Sequence, residues 1–480
     1  MESLTSEWET FLPVNQVFND FVLKKKKSKI SNMFESQKLN VKKKKTIKDK
    51  IMNNNGFHED SDHFKNSSFL ISKADGNINY CNDSINSNFN TSSAKRKTLK
   101  RKEYPGESKK KFVKAQENSI IKIEQESLNI INDSIVSNFM SIQDMLEIMD
   151  QDKIYSFRKL FPPNIIKIAE GSFGEVYSGK NLNDLDIIFK ISPFEPDEKA
   201  KTIVNGGPLN GCWELIVEYV ITHELSKLKE KSDFHCDNFV KMHKGYIING
   251  TYPKILLDAW KAYKKNNEVF NENPCEYKNK VKNFMVLELE NGGTELEKYE
   301  LTTFQAYSVV FQLIHSMRIA EYLFNFEHRD LHESNILIQN IDNNMDVEYI
   351  FNSVKYKLKS FGVKIKIIDY TFSKITLNDR NYFLNLEEFK ELFEINSDSK
   401  PFQKIYPKMR KVTNGDWSKY YPKNNLLWII HHIKRFFSLN LIKDEKFVKY
   451  FSTKVSKMEC LEELVQDKTF IRFQKKFIYL

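Results

Sequence analysis

The sequence predicts an α+β fold of two lobes, a strand-rich lobe with one main helix followed by a mostly helical lobe. In about residues 150–290, short apolar segments alternate with glycine turns. From about residue 291 to residue 480, apolar residues return mostly at helical spacing. Because strands bury every second residue and helices every third or fourth, this change of period indicates two differently built lobes.

The first 149 residues form a polar, basic region that we expect to be disordered. They are rich in Asn, Ser and Lys, and their scattered apolar residues bury too little surface to offset the entropy of ordering. Basic clusters recur at Lys24 to Lys27, Lys42 to Lys45, Lys95 to Lys102 and Lys109 to Lys111. They form either a solvated tail, or a nuclear import signal or an arm that contacts nucleic-acid phosphates.

Length, charge and cysteine spacing limit the class of protein. With 480 residues and a net charge of +10, the chain is long enough for a core of about 300 residues beside a basic region. The five cysteines form no CxxC pair, which argues against a disulfide framework and a zinc ribbon. Because neither a secretory signal nor an apolar segment of about 20 residues is evident, we expect a soluble intracellular protein without a membrane partner.

A helix is predicted between residues 135 and 161, where apolar side chains return at helical spacing. We expect Pro162-Pro163 to end it, because proline lacks the N–H group that a helix interior uses. Globular composition begins at about Ile165, so the domain boundary is placed near residue 150.

Gly171 and Gly174 bracket a turn between two predicted strands, Ile165 to Ala169 and Glu175 to Ser178. Glycine lets the backbone approach phosphates closely, and Phe173 could close the turn over them. Taken alone, two glycines three residues apart more often mark an ordinary hairpin.

A lysine, Lys190, interrupts the next apolar strand. It is either a charged residue on an edge strand or a buried cation that needs a partner. The helix predicted for Trp213 to Leu228 supplies three glutamates, of which Glu218 is best placed relative to the apolar face, with Glu214 and Glu224 as alternatives. A strand lysine that is held by a helix glutamate and directed at phosphates is the arrangement of protein kinases.

The strand Phe284 to Glu290 runs into Asn291 and two glycines, Gly292 and Gly293. A strand followed by such a glycine break suits a hinge between two lobes, where backbone atoms could pair with the edge of an adenine. An ordinary strand and turn would give the same pattern.

One loop carries the residues that metal-assisted phosphoryl transfer requires. It follows an amphipathic helix, Phe304 to Phe324, and places Asp330 five residues before Asn335. A later apolar strand, Val363 to Ile368, ends at Asp369. One aspartate would orient the attacking hydroxyl, while the asparagine and the second carboxylate are hard oxygen ligands for magnesium. We expect the three side chains to surround one metal–phosphate site.

Together these motifs resemble the eukaryotic protein kinases, and among them the haspin branch, over about residues 150–480. The general signatures are the glycine turn with Val176 behind it, the strand lysine and the loop of residues 328–335. Ala169 stands where ordinary kinases carry a further glycine. Haspin-like features are Glu327, His332, the segments Tyr252 to Trp260 and Trp417 to Trp428, and Asp369-Tyr370-Thr371 in place of Asp-Phe-Gly.

The resemblance implies a bilobal serine/threonine kinase that uses ATP and magnesium to phosphorylate a threonine near the start of the histone-three tail in mitosis. It also implies a nuclear, chromosome-associated protein with that tail and chromatin as partners. By this resemblance Asp330 is the base, and Lys190, paired with Glu218, holds the phosphates. Asn335 and Asp369 ligate magnesium. The implied nucleotide pocket consists of Ala169, Gly171, Ser172, Phe173, Gly174, Val176, Lys190, Glu290, Gly292, Asn335 and Asp369.

A basic histone tail needs acidic partners, since charge-assisted hydrogen bonds are the stronger ones. The candidates are Glu295, Asp398 and the pair Glu387-Glu388. In the family two acidic residues stand two apart near the position of Asp398, whereas Lys400 occupies the second place here. The contacts to the tail therefore stay open, and these acidic residues could alternatively form a solvated face.

Thr371 replaces the flexible glycine of Asp-Phe-Gly, a segment whose phenylalanine packing sets active and inactive states in other kinases. We therefore hypothesise a site that is held active without phosphorylation of the activation loop.

Two other functions share part of the pattern. Small-molecule phosphotransferases of the choline or aminoglycoside kinase type also carry His-x-Asp-Leu-His-x-x-Asn, but the glycine turn, Arg329 and Asp-Tyr-Thr favour a protein kinase. The other is a pseudokinase scaffold that binds chromatin through the basic region. Every catalytic position is filled, which argues against it.

Overall fold

The computed structural model describes residues 140–158, 160–171, 174–180, 184–197 and 202–479. Strands and helices in these residues confirm the predicted α+β class. The predicted basic clusters and the Ser172-Phe173 tip of the glycine turn lie outside the described residues.

The first half of the described chain is strand-rich. Its strands are β1 (Ile166–Gly171), β2 (Gly174–Lys180), β3 (Asp186–Phe194), β4 (Ile203–Val204), β5 (Gly207–Pro208), β6 (Phe234–Cys236), β7 (Met242–Asn249) and β8 (Asn283–Glu290). Its helices are α1 (Ile142–Ile148), α2 (Cys212–Ser226), α3 (Lys254–Asn266) and α4 (Pro274–Tyr277). Five strands form one antiparallel sheet in the order β1-β2-β3-β8-β7.

Helix α1 ends much earlier than the helix predicted between residues 135 and 161. Ser141 and Asp144 cap its first turn reciprocally, each side chain accepting a hydrogen bond from the other's backbone N–H. The helix cannot continue through Asp150, whose φ of 51° lies outside the right-handed helical region. The expectation that Pro162-Pro163 ends this helix was therefore wrong.

The five-stranded sheet packs one of its faces against α3. Tyr177 and Phe189 are paired across β2 and β3 and are buried in one apolar cluster with Leu256 of α3. Neighbouring positions along each strand point to the other face, where Val176 pairs with Lys190. The sheet thus separates an apolar core from the face on which Lys190 lies.

Helix α2 confirms the helix predicted for Trp213 to Leu228 and contacts β3 and β7. Apolar side chains on most of its circumference are buried, among them Leu215, Ile216 and Val220. A helix that is apolar on most sides belongs in a protein interior. Its single inward glutamate, Glu218, is therefore conspicuous.

The second half of the described chain contains both helices and strands. Its strands are β9 (Thr294–Glu295), β10 (Ile336–Asn340), β11 (Asp346–Phe351), β12 (Val354–Lys359), β13 (Val363–Ile367), β14 (Ile375–Leu377), β15 (Arg380–Tyr382) and β16 (Ile478–Tyr479). Its helices are α5 (Thr303–Phe324), α6 (Tyr406–Thr413), α7 (Lys423–Ser438), α8 (Glu445–Thr453), α9 (Leu461–Gln466) and α10 (Lys468–Gln474).

Helix α5 lies within this half and confirms the helix predicted for Phe304 to Phe324. Thr302 and Gln305 form a capping box at its start, and Asn325 ends it in the left-handed conformation with φ of 50°. Side chains on all sides of α5 are buried, and the helix contacts β13 and α7. The loop that follows α5 therefore starts from a fixed position.

No element was predicted for the polar stretch between β10 and β13, yet it forms a β-hairpin. Strands β11 and β12 pair and join β6 and β16 in a sheet of order β16-β12-β11-β6. Val347, Tyr349 and Phe351 alternate as buried residues along β11. A second sheet has the order β13-β10-β9. These strands belong to a half in which the helices α5 to α10 still contain more residues than the strands.

Candidate active site

Lys190 on β3 forms a buried ion pair with Glu218 of α2. Its Nζ is 2.5 Å from Glu218 Oε1 and 3.5 Å from Asp369 Oδ1. Burial alone would lower the pKa of Lys190, but the carboxylates of Asp369 and Glu218 outweigh burial and raise that pKa above its usual range. Glu224 pairs with Lys227 instead. Lys190 is therefore a fixed positive charge, held by the glutamate that the helical period favoured.

The loop after α5 brings Asp330 and Asn335 together. Asn335 ends a 3₁₀ turn, Glu333–Asn335, and its Nδ2 donates to the backbone carbonyl of Asp330 at 2.8 Å. The Tyr406 hydroxyl, at the start of α6, donates to Asp330 Oδ1. Because its amide nitrogen faces Asp330, Asn335 has its amide oxygen as the atom suited to a cation.

Asp369 lies two residues after the end of β13 at Ile367. Its φ of 60° is a backbone conformation that few residues other than glycine adopt. The Thr371 hydroxyl donates to Asp369 Oδ1 at 2.7 Å, and the Thr371 N–H donates to the same oxygen at 3.3 Å. The buried Tyr370 hydroxyl donates to the Ile367 carbonyl at 2.6 Å. Hydrogen bonds within the Asp-Tyr-Thr segment therefore fix the direction of the Asp369 carboxylate.

Asp330 and Asp369 differ in their protonation behaviour. Burial raises the pKa of Asp330 to about 8, and the hydrogen bond from Tyr406 opposes this only in part. Burial also acts to raise the pKa of Asp369, but Lys190 and the hydrogen bonds from Thr371 lower it to about 2. Carboxyl groups separated in this way are typical of sites where one exchanges a proton and the other stays an anion.

Arg329, next to Asp330, is fully buried and has φ of 64°. Its Nε and Nη2 are 3.3 Å and 3.2 Å from the two carboxylate oxygens of Glu327, and Nη2 also donates to the Trp417 carbonyl at 2.9 Å. Glu327 in turn accepts from the Asn424 amide at 2.6 Å. These contacts hold the Arg329 guanidinium in the protein interior.

The glycine turn requires glycine at one position for steric reasons. Gly171 and Gly174 pair across the turn between β1 and β2. A Cβ on Gly174 would lie 2.3 Å from the Ile191 carbonyl oxygen, whereas a Cβ on Gly171 would meet its nearest atom at 3.7 Å. Gly174 thus allows β2 to lie close to β3.

Ala169, Val176 and Lys190 form a row across β1, β2 and β3. Cross-strand partners share a face, so all three lie on the face that contacts Asp369 through Lys190. Ile188, two residues before Lys190, lies on the same face and is half-buried. It was not among the predicted pocket residues, although the period of two along β3 marks it.

Glu290 ends β8, and its carboxylate is engaged within the protein. Oε1 accepts from the Lys241 N–H at 2.8 Å and is 2.5 Å from the buried Nζ of Lys366. A Cβ on Gly292 would lie 2.6 Å from a methyl carbon of Leu337, which explains a glycine there. The Glu290 side chain is therefore held within the protein, and a contact of hinge backbone atoms with an adenine stays a prediction.

His332 and Tyr406 complete the surroundings of Asp330. His332 Nε2 lies 3.8 Å from Asp330 Oδ1, and its ring centroid is 4.8 Å from that of Phe402. Tyr406 is 76 residues from Asp330 in sequence, and no local motif marks it. Sequence reasoning missed Tyr406 for that reason.

Of the acidic residues considered for a basic tail, Glu387 is already engaged. Its carboxylate is 2.5 Å from the Arg410 guanidinium. Glu295 forms an ion pair with the lysine three residues later. Asp398 and Glu388 are exposed. A basic tail could therefore reach Asp398 and Glu388 without breaking the ion pairs of Glu387 and Glu295.

Glu333, His431 and His432 each place one ligand atom within 4.8 Å of the other two. His431 Nε2 is 3.0 Å from Glu333 Oε1, and His432 Nε2 is 2.8 Å from the Leu331 carbonyl oxygen. Both contacts join α7 to the loop that carries Asp330. They account for the histidines as structural residues.

Among the described residues, no helix combines the length and the apolar composition that crossing a bilayer requires.

Comparison with known proteins identifies relatives. A family model described as "Haspin like kinase domain" matches residues 91–478. The "Serine/threonine-protein kinase haspin homolog" of Drosophila melanogaster is 31% identical over 302 residues, which cover 62% of this chain and 51% of that protein. The corresponding protein of Arabidopsis thaliana is 30% identical over 344 residues, covering 68% of this chain and 55% of that protein.

The "Serine/threonine-protein kinase haspin" of Bos taurus is 32% identical over 266 residues, covering 55% of this chain and 33% of that protein. The match thus spans between 33% and 55% of the length of these three relatives.

Proposed function

The chain belongs to the haspin-like kinase family, and on this premise we propose that it is an ATP-dependent serine/threonine protein kinase. Its proposed substrate is a threonine near the N-terminus of the histone-three tail, phosphorylated in mitosis by a nuclear, chromatin-associated enzyme with a bilobal fold. One observation carries the kinase proposal: Lys190 contacts both Glu218 and Asp369. That arrangement is the one that phosphoryl transfer by protein kinases uses.

The donor set of Asn335 and Asp369 fits magnesium. Both side chains offer hard oxygen atoms, and the pKa of Asp369, lowered to about 2 by Lys190 and Thr371 against the effect of burial, keeps its carboxylate charged at neutral pH. When bound, magnesium supplies positive charge that neutralises the phosphates. We assign Asn335 and Asp369 as its protein ligands.

The remaining residues divide the reaction between them. Lys190, fixed by Glu218, binds phosphate oxygens of ATP. Asp330 orients the substrate hydroxyl and accepts its proton. The Tyr406 hydroxyl donates to one oxygen of the Asp330 carboxylate and the Asn335 amide to the other, so both hold the carboxylate in place. As the hydroxyl oxygen bonds to the γ-phosphorus, the bond between that phosphorus and the bridging oxygen breaks and ADP leaves.

The two other functions fit less well. The haspin-like kinase model matches residues 91–478, which favours a protein kinase over a small-molecule phosphotransferase. A pseudokinase scaffold would not need Lys190, Asp330 and Asp369 in one site. Nor would it need the pKa of Asp330 to be raised and that of Asp369 to be lowered. Activity on free amino alcohols alone, or function that survives loss of Asp330, would favour these alternatives.

The substrate proposal rests on family membership and on the exposed carboxylates of Asp398 and Glu388. It is tested with a peptide of the histone-three N-terminus and the same peptide carrying alanine at its first threonine. We expect the full chain to transfer labelled phosphate from ATP to the first peptide and at most background label to the second. Equal labelling of both peptides would contradict the assignment, as would labelling of unrelated proteins alone.

We also propose that the kinase is active without phosphorylation of its activation loop. Arg329 is paired with Glu327 in the interior, so its guanidinium is not directed at a phosphate on that loop. Thr371 further anchors Asp369. Complete phosphatase treatment of the purified chain, followed by phosphatase removal, is expected to leave the initial rate unchanged. A loss of activity that recovers on rephosphorylation would refute this proposal.

A further inference from the structure

Asn271 contacts the backbone on both sides of the glycine turn. It lies in the connection between α3 and α4, distant in sequence from the turn. Its Nδ2 lies 3.2 Å from the carbonyl oxygens of Gly171 and Gly174 and 3.2 Å from Glu175 Oε1. One side-chain amide thereby donates to the two carbonyls that flank the tip of the turn.

The contact is reciprocal. Glu170, in β1, accepts the backbone N–H groups of Phe270 at 2.7 Å and of Asn271 at 3.2 Å through Oε2. The buried Lys167 pairs with Glu170 at 3.0 Å and also with Glu175. Charged and amide groups from the hairpin therefore meet those of the connection in one network.

The connection itself is anchored. The N–H of Glu272 donates to Asn205 Oδ1 at 2.8 Å, and the N–H of Asn205 donates to Glu272 Oε1 at 3.1 Å. Asn273 caps α4 by accepting the Cys275 N–H at 3.0 Å. These bonds fix the chain directly after Asn271, and the bond from the Phe270 N–H to Glu170 fixes the chain directly before it.

Asn271 approaches from the face of the sheet opposite Lys190. Glu175, which it contacts, pairs with Ile191 across the strands, whereas the adjacent Val176 pairs with Lys190. Neighbouring positions along a strand point to opposite faces. The carbonyls of Gly171 and Gly174 are therefore bonded on the side away from the lysine.

We propose that Asn271 is a positioning residue for nucleotide binding, which holds the backbone carbonyls of Gly171 and Gly174 away from the face on which Lys190 would bind the phosphates. This inference rests on the proposed ATP-binding function. Glycine turns bind phosphate through backbone N–H groups, and a carbonyl oxygen directed at a phosphate would repel it. A donor that holds both carbonyls on the far side favours binding, and it removes backbone freedom that would otherwise be lost when ATP binds.

Two substitutions separate hydrogen bonding from packing. Asn271→Ala removes the donor, and we expect it to raise the KM and the Kd for ATP about 5–30-fold, with kcat changed much less. Asn271→Asp keeps the shape but directs a carboxylate at two carbonyls and at Glu175. We expect it to weaken ATP binding more than the alanine variant does. A packing role alone predicts the reverse order.

The experiment measures Kd for ATP, KM and kcat for the full chain, with thermal unfolding as the check on folding. Asn267→Ala and Asn267→Asp are matched controls, because Asn267 lies in the same connection but its amide donates to the Tyr263 carbonyl of α3 at 3.0 Å. They should bind ATP as the unmodified chain does. If the Asn271→Asp variant does not fold, the test is the ATP affinity of Asn271→Ala compared with that of Asn267→Ala.

The outcomes distinguish this inference from the function on which it rests. An unmodified chain that binds no ATP overturns the proposed function. An unmodified chain that binds ATP, with Asn271→Ala binding equally well, overturns the role of Asn271 alone. The role of Asn271 would also be overturned by a folded Asn271→Asp variant that binds ATP more tightly than the Asn271→Ala variant.

Discussion

Replacing Asp330 with asparagine is expected to lower kcat for phosphate transfer by about 10²–10⁴-fold while leaving ATP affinity nearly unchanged. The amide of asparagine cannot accept the proton of the substrate hydroxyl. Tyr406 contacts one side-chain oxygen of Asp330 and Asn335 contacts the other, so we expect the asparagine side chain to occupy the same position. Initial rates of labelled phosphate transfer to a peptide, with ATP affinity measured separately, check this result.

Glu391→Gln is the matched control for the loss of one carboxylate charge, because Glu391 is exposed. Its kcat should equal that of the unmodified chain. An Asp330→Asn variant that retains more than about a tenth of the rate would show that another group serves as the base.

Replacing Lys190 with methionine is expected to abolish measurable transfer and to lower the free energy of unfolding by about 3 kcal/mol. Glu218 would lose the cation that lies 2.5 Å from it, and Asp369 would lose the one at 3.5 Å. Removing one partner of a buried pair leaves the other charge without compensation. Urea unfolding and peptide phosphorylation of the same preparation measure the two effects.

The double variant Lys190→Met with Glu218→Gln separates stability from chemistry. It removes both members of the ion pair, so we expect most of the lost stability to return while transfer stays absent. Recovery of activity in the double variant would contradict the proposed contact between Lys190 and the phosphates. A double variant as unstable as the single one would mean that the pair does not explain the stability loss.

Sequence patterns predicted those parts of the site that depend on local periodicity. The period of two around Lys190 and the period of α2 around Glu218 correctly placed two side chains on facing elements. The loop of Asp330 and Asn335 and the strand end at Asp369 follow from apolar segments broken by polar residues. Such signals lie within about ten residues of the side chain concerned.

The parts that sequence reasoning missed depend on long-range packing. Tyr406 reaches Asp330, Lys366 reaches Glu290, and Asn271 reaches the glycine turn, all through contacts that no local pattern encodes. A buried lysine such as Lys366 looks like a solvent-facing residue of an alternating strand until its partners are known.

Local sequence also fails to show which acidic surface residues already have a partner. Glu387 and Asp398 are equally good candidates for a basic tail by charge alone. Only the structure shows that Glu387 already forms an ion pair with Arg410. The β11–β12 hairpin was missed for a different reason, because its exposed positions are polar and its buried ones few.

The proposed kinase function is best tested by phosphate transfer from labelled ATP to the histone-three peptide, measured with magnesium for the full chain and for its Asp369→Asn variant. We expect label that requires the first threonine of the peptide, and loss of that label in the variant, since Asp369 would no longer offer a charged ligand to magnesium. Transfer that persists in Asp369→Asn would contradict the role of Asp369, and ATP binding without transfer by the unmodified chain would contradict the proposed kinase function.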